Sequence, residues 1–234
     1  MEHTQRIEPG EFLYRPPRKL MRLLEWLQNA TLSHQPAQIF YPENWLNAIE
    51  LDEMHIVLQR FPTSLRRFDI VPLAREASET ETPSAIRQLF LATMLWGYGT
   101  VGYGPWRMAH ITSNIKQLDD VLFNSLRAIK YGNVRTAFSV LHDAHIPFLG
   151  PAYFTKYLYF AGLGCGIDHY PLILDTRILQ SLSALIGKRT FFEGTVNDYH
   201  NYVVTLHEWA EMLDCRADSI EYLLFLTPQE FWQV

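Results

Sequence analysis

Three things are scarce in this chain of 234 residues: cysteine, positive charge and long apolar runs. Two cysteines, Cys165 and Cys215, cannot supply a zinc tetrad or a four-cysteine iron–sulfur cluster. One disulfide is the most they could form, and such pairs in a chain without a secretory signal are mostly reduced. Lys and Arg number 20 against 25 Asp and Glu, a net charge of −5. That balance counts against a protein that coats nucleic acid electrostatically, while leaving room for a local basic patch. Arg15, Arg18, Lys19 and Arg22 form one candidate patch, and Arg60, Arg66 and Arg67 another; a solvated helix face explains either equally well. The first residues, MEHTQRIEPGEF, hold no apolar stretch, and no run reaches membrane-spanning length. The expectation is a soluble, cytoplasmic protein that does not bind membranes. Alternating strands of useful length and internal repeats are missing too.

What is present is apolar and helical. At 48% hydrophobic residues, the chain can fill the core of one large domain or two tightly joined lobes. Its 14% aromatic content suits a packed core and also base stacking. Leu20, Leu23, Leu24 and Leu27 mark a helix over 18–30, and one or two short helices fill 43–60. The polar stretch from Val71 to Ser84 reads as an exposed connection. Pro83-Ser84 opens a helix, AIRQLFLATMLWG, apolar on most sides. A glycine-rich loop follows, from Trp96 to Arg107. Ser113 or Asn114 caps a long helix that Gly132 ends, and Asn133 caps the next. Helical periods return from Ile178 to Gly187, over 196–213 and over 217–226. The fold class is all-α. Residues 1–83 form an N-terminal helical region and 84–234 the core with its C-terminal helices, the lobes interleaved in one unit.

Between the capped helix at Asn133 and the helix at 178 lies the stretch that carries chemistry. A helix ends near His142, Ile146-Pro147-Phe148-Leu149-Gly150 turns, and Pro151 starts a second helix, a position where proline costs no hydrogen bond. Gly150 lets the backbone approach a partner, and the amides after such a turn suit a phosphate. An ordinary αα-hairpin uses the same parts. Beyond GPAYFTKYLYF and the spacer Gly162–Gly166 stands Pro171-Leu172-Ile173-Leu174-Asp175-Thr176-Arg177.

These segments, with WGYG at 96–99, resemble the helix-hairpin-helix DNA glycosylase superfamily, and in particular the bacterial 8-oxoguanine DNA glycosylase-fold proteins. The resemblance covers roughly residues 84–226 and is specific around 146–177. It implies a two-lobed all-α fold and a lysine and an aspartate as catalytic pair. Lys156 and Asp175 have a separation similar to that of the bifunctional members. The family hairpin reads L-P-G-V-G; here Phe148 stands at the first glycine, and the family lysine position falls on Ala152, one helical turn before Lys156. Phe148, Leu149, Gly150 and Ala152 would meet DNA. Arg177, where a histidine is frequent, could hold a phosphate.

The chemistry assigns roles. Breaking an N-glycosidic bond builds positive charge on the sugar, which the Asp175 carboxylate would stabilise. A neutral Lys156 amine would attack the anomeric carbon and form a Schiff base, which requires burial to depress its pKa. Phe154, Tyr157, Tyr159 and Phe160 surround it in sequence. An aspartate at a helix start is also a common N-cap, a job compatible with the catalytic one. Trp96, Tyr98, Tyr103 and Trp106 are candidates to stack a flipped base or wedge into the duplex. His142 and His145 lack a third metal ligand, and His207, Glu208 and Glu211 read as a solvated face. No metal, cofactor or obligatory protein partner is expected. The expected partner is DNA carrying a modified base, 8-oxoguanine by resemblance. Alternatives are a hypermodified cytosine of phage DNA, in an antiviral role, a non-catalytic hairpin module that binds DNA, and a helical interaction protein.

Overall fold

Short polar side chains set where several helices begin. The structure, a computed structural model, describes residues 15–30, 35–186 and 194–232. In chain order it opens with α1 (Arg18–Met21) and α2 (Leu24–Asn29), then β1 (Gln38–Ile39), α3 (Pro42–Leu46), α4 (Asp52–Arg60) and β2 (Ser64–Leu65). There follow α5 (Val71–Thr80), α6 (Pro83–Tyr98), α7 (Gly104–Thr112), α8 (Ile115–Lys130), α9 (Val134–Asp143) and α10 (Pro151–Cys165). The last are α11 (Thr176–Ile186), α12 (Val196–Met212) and α13 (Ala217–Leu226). The two strands form one antiparallel ladder, Gln38 opposite Leu65. The class is all-α. Asn114 caps α8 by accepting the Gln117 N–H at 3.3 Å, and Asn133 caps α9 by accepting that of Thr136 at 3.0 Å. Thr195 and Asp198 make a reciprocal capping box on α12.

The chain divides into two compact units, one of residues 31–175 and one of residues 1–30 with 176–234. In the first, α10 is the central element, packed against α5, α6, α8 and α9. Its Phe154 meets Phe138 edge-on at 5.0 Å, Tyr157 meets Phe90 at 5.9 Å and Phe160 meets Trp96 at 5.4 Å. The Tyr157 hydroxyl donates to the Leu122 carbonyl at 2.9 Å, and burial pushes its pKa well up. In the second unit α13 packs against α2, α11 and α12 around Tyr202, Trp209 and Trp232. Among the described residues no helix is long and apolar enough to cross a membrane.

Several sequence expectations change. The helix over 18–30 breaks at Arg22-Leu23 into α1 and α2. The supposed connection from Val71 to Ser84 is mostly helix: α5 buries Leu73, Ala74, Ala77 and Ser78 on one face. That face is helical in period but made of small residues, so it carries little hydrophobic signal. The supposed spacer Gly162–Gly166 is the last turn and cap of α10, with only Gly166 left-handed, at φ 65°. The glycine-rich loop shrinks to 99–103, because Trp96–Tyr98 end α6 and Gly104–Arg107 begin α7. Arg67 is no surface cation: it is 2% exposed, its guanidinium 4.7 Å from the Tyr159 ring and 5.5 Å from that of Trp96. His207 is buried, unlike the exposed Glu211. The Gly187 stop lies outside the described residues.

Small residues set the spacing of the first unit. A Cβ at Gly164 would stand 2.4 Å from the Ala74 carbonyl carbon and 2.6 Å from its Cβ, so α10 and α5 touch backbone to backbone. Gly164→Ala is expected to cost about 2–3 kcal/mol, since backbone cannot swing aside. Gly150→Ala, at a position open on all sides, should change stability by less than about 1 kcal/mol. Urea denaturation of both variants checks this; equal midpoints would disprove the close approach.

Candidate active site

The hairpin turn between α9 and α10 is tight and partly strained. Ile146 and Leu149 are buried and anchor it, with the Leu149 N–H on the Ile146 carbonyl at 3.1 Å. Between them Phe148 holds φ 67°, the left-handed region that glycine takes without cost. The backbone thus keeps the conformation of a glycine turn with a phenylalanine in it. The Phe148 ring is 42% exposed and packs edge-on to Trp106 at 5.0 Å and to His110 at 5.4 Å. Gly150 follows at φ −84° as the N-cap of α10, offers no side-chain cap, and has nothing within 4 Å of where its Cβ would be. Ala152, half-buried, sits in the first turn of α10.

Lys156 is half-buried on α10. Helical side chains lean toward the N-terminus. The Lys156 ammonium accordingly reaches back one turn and donates to the Ala152 carbonyl. Its stem lies against α6 at Gly97, where a Cβ would stand 3.0 Å from Lys156 Cδ. The Tyr153 ring lies 5.4 Å from Nζ and stacks on Tyr98 at 4.3 Å. The aromatics expected to surround the lysine, Phe154, Tyr157, Tyr159 and Phe160, are instead fully buried core residues.

The run before Asp175 lies along α10. Pro171, Leu172, Ile173 and Leu174 are buried in an irregular segment. A Cβ at Gly162 would stand 2.5 Å from Pro171 Cδ, so the segment lies directly on α10 there. At Leu174 its N–H donates to Thr155 Oγ1 at 3.1 Å, and that hydroxyl donates to the Pro151 carbonyl at 2.6 Å. The segment therefore runs antiparallel to α10, from 162 back to 155. The two paths match in length: three extended residues span about 10 Å, and seven helical residues about 10.5 Å. Half-buried Asp175 follows Leu174 and directly precedes α11. Arg177 is exposed on α11, its guanidinium 4.6 Å from the Phe225 ring.

The four aromatic candidates go to different places. Trp96 is buried against Phe160 and Arg67. Tyr98 is 2% exposed, between Tyr153 and Trp45; its hydroxyl, pushed up in pKa by burial, faces Tyr153 and Arg107 without reaching hydrogen-bond geometry. Tyr103 and Trp106 are each 52% exposed. Arg107 lies 4.5 Å over the Tyr103 ring. Among the described residues no group of three His, Cys, Asp or Glu could hold a metal.

A family model described as "Putative 8-oxoguanine DNA glycosylase OGG-like protein" matches residues 30–225, well over half of the chain. The chain belongs to this OGG-like family. No match emerged among curated proteins or among solved structures. Within the OGG-like chain, Thr155, Gly97 and Tyr153 contact the candidate residues or the segment before Asp175 and were not singled out from the sequence. Thr155 had a signal, a lone polar β-branched residue between Phe154 and Tyr157 in an apolar helix. Gly97 had none, because its role is the space it leaves.

Thr155→Val keeps the shape and removes the acceptor, leaving the buried Leu174 N–H unpaired. It should cost about 1–3 kcal/mol in denaturant unfolding, with Thr155→Ser close to the parent. A Val variant as stable as the parent would remove the tether from this account.

Proposed function

We propose that the protein is a DNA glycosylase that excises a modified base by lysine Schiff-base chemistry, with associated AP-lyase activity. The observation that carries this reading is the reach of the Lys156 ammonium to the Ala152 carbonyl, the position where the glycosylase family keeps its lysine. Family membership supports a DNA substrate, and the family's description supports 8-oxoguanine as the base. Phe148, Leu149, Gly150 and Ala152 form the hairpin that would bind the DNA backbone, using the amides at the start of α10. Arg177 would add a contact to phosphate.

In this mechanism the flipped nucleotide lies with its sugar between Lys156 and Asp175. Once the ammonium has given up a proton and left the Ala152 carbonyl, the Nζ lone pair bonds to C1′ as the C1′–N bond breaks, and the bonding pair leaves with the base, which takes up a proton. The Asp175 carboxylate offsets the positive charge that develops on the sugar. Transfer of an amine proton to O4′ as the C1′–O4′ bond opens leaves an imine to Lys156, from which strand cleavage proceeds by loss of a C2′ proton and departure of the 3′ phosphate. Thr155 positions both ends of this pair, and Gly97 leaves room for the lysine stem.

Borohydride trapping tests the reading directly. Duplexes carrying 8-oxoguanine should give a covalent protein–DNA adduct that Lys156→Ala abolishes. Asp175→Asn should slow base release by about 10²-fold or more while DNA binding persists. Base release that survives Lys156→Ala but not Asp175→Asn would replace the amine by an activated water. An adduct formed on hypermodified cytosine and not on 8-oxoguanine would move the protein from repair to antiviral defence. DNA binding with neither base release nor adduct on any modified duplex would overturn the enzyme.

A further inference from the structure

The turn at Phe148 is a local contradiction. A bulky aromatic occupies a left-handed backbone position, φ 67°, that favours glycine. Its ring does not compensate by filling the core, since it is 42% exposed. Strained residues of this kind persist where function holds them. Beside the ring stands a further exposed aromatic, Trp106, in edge contact, and three residues before Trp106 in the chain is Tyr103; each is 52% exposed. His110 closes the other side: its ring lies 4.2 Å from that of Trp106, and its Nδ1 pairs with the Trp106 carbonyl at 2.8 Å. Arg107 places a cation over Tyr103 at 4.5 Å. The N-cap of α10, Gly150, which offers no side-chain cap, stands two residues after Phe148.

Exposed aromatic faces, a cation and an uncapped helix start are the parts that hold unstacked nucleobases and the phosphates between them. Resting on the DNA-glycosylase reading, we propose that Phe148, Trp106 and Tyr103 form a stacking platform for unpaired nucleobases. Phe148 enters the base stack at the step that the hairpin grips. A glycine hairpin contacts only the backbone of the duplex. With Phe148 the same turn would also fill the gap that base extrusion leaves, so its binding partner is opened DNA rather than intact duplex.

The alternative is that the ring only clasps the hairpin to α7, and the two ideas predict opposite effects of its removal. Phe148→Gly relieves the backbone and removes the ring. The full-length protein is titrated with a duplex bearing a tetrahydrofuran abasic analogue beside 2-aminopurine, and with the matching intact duplex. For the parent, stacking should quench the 2-aminopurine fluorescence that the abasic gap exposes. Phe148→Gly should keep or raise the melting temperature, lose the quench, and bind the gapped duplex about 5-fold to 100-fold more weakly, a loss larger than any on the intact duplex. Phe148→Asn, which also accepts left-handed backbone, should behave alike. Retained quench and affinity in both variants would overturn the platform. So would a lowered melting temperature with equal loss on both duplexes, the signature of a clasp, and so would a parent that binds neither duplex. Quench by the parent without base release or adduct would count against the glycosylase reading alone; an adduct without quench would count against the platform alone.

Discussion

One buried hydroxyl organises the candidate site. Thr155 Oγ1 donates into the first turn of its own helix, to Pro151, and accepts the backbone N–H of Leu174. The segment from Pro171 to Asp175 has no regular structure, yet four of its five residues are buried. Its backbone groups cannot turn to water, so each must find a partner inside. Thr155 supplies one at the residue next to Asp175. The same hydroxyl thus fixes the aspartate's neighbour relative to the lysine's neighbour, and it is itself 0% exposed. Burial of Leu172, Ile173 and Leu174 contributes about 1.5–3 kcal/mol each to holding the segment. Apolar burial has no register; the hydrogen bond supplies it.

The segment can lie so close because of what α10 lacks. Gly162 admits Pro171, and Gly164 admits Ala74 of α5, at distances that no Cβ would tolerate. Gly97 on α6 gives the Lys156 stem a milder relief, since a Cβ there would stand 3.0 Å from Lys156 Cδ. All three glycines are inside helices, where each costs roughly 1 kcal/mol against alanine. Close packing of α10 against its neighbours offsets that cost, and the site lies along the resulting seam.

Elements with large apolar faces or polar caps were legible in the sequence. Asn114 and Asn133 cap as expected, α6 is apolar on most sides, and the hairpin falls between α9 and α10. What was not legible depends on smallness or on partners far away in sequence. Ala74, Ala77 and Ser78 gave α5 too weak a hydrophobic stripe to stand out from its polar residues. The glycines of 162–166 suggested a spacer, since composition cannot distinguish a glycine that bends from one that makes room. Arg67 looked like a surface cation because Trp96 and Tyr159, which cover it, lie 29 and 92 residues further along the chain.

The lysine presents the hardest mismatch between sequence and geometry, and it resolves at the level of atoms. Counted by Cα positions, Lys156 stands one turn away from where a glycosylase hairpin keeps its amine, about 6 Å along the axis. Counted by atoms, the Lys156 amine reaches back across that turn to the backbone at 152, since a helical side chain leans over the preceding turn and lysine is long enough to cross it. The Nζ contact with the Ala152 carbonyl is that crossing. A lysine rooted at 152 would arise directly beside the turn, whereas one rooted at 156 must lie along the helix, and for that it needs a groove. Gly97 provides the groove on one side and Tyr153 a ring on the other. The lysine stem and the glycine in the last turn of α6 are therefore one arrangement: a Cβ at 97 would stand 3.0 Å from Lys156 Cδ and make the stem give way by a few tenths of an ångström.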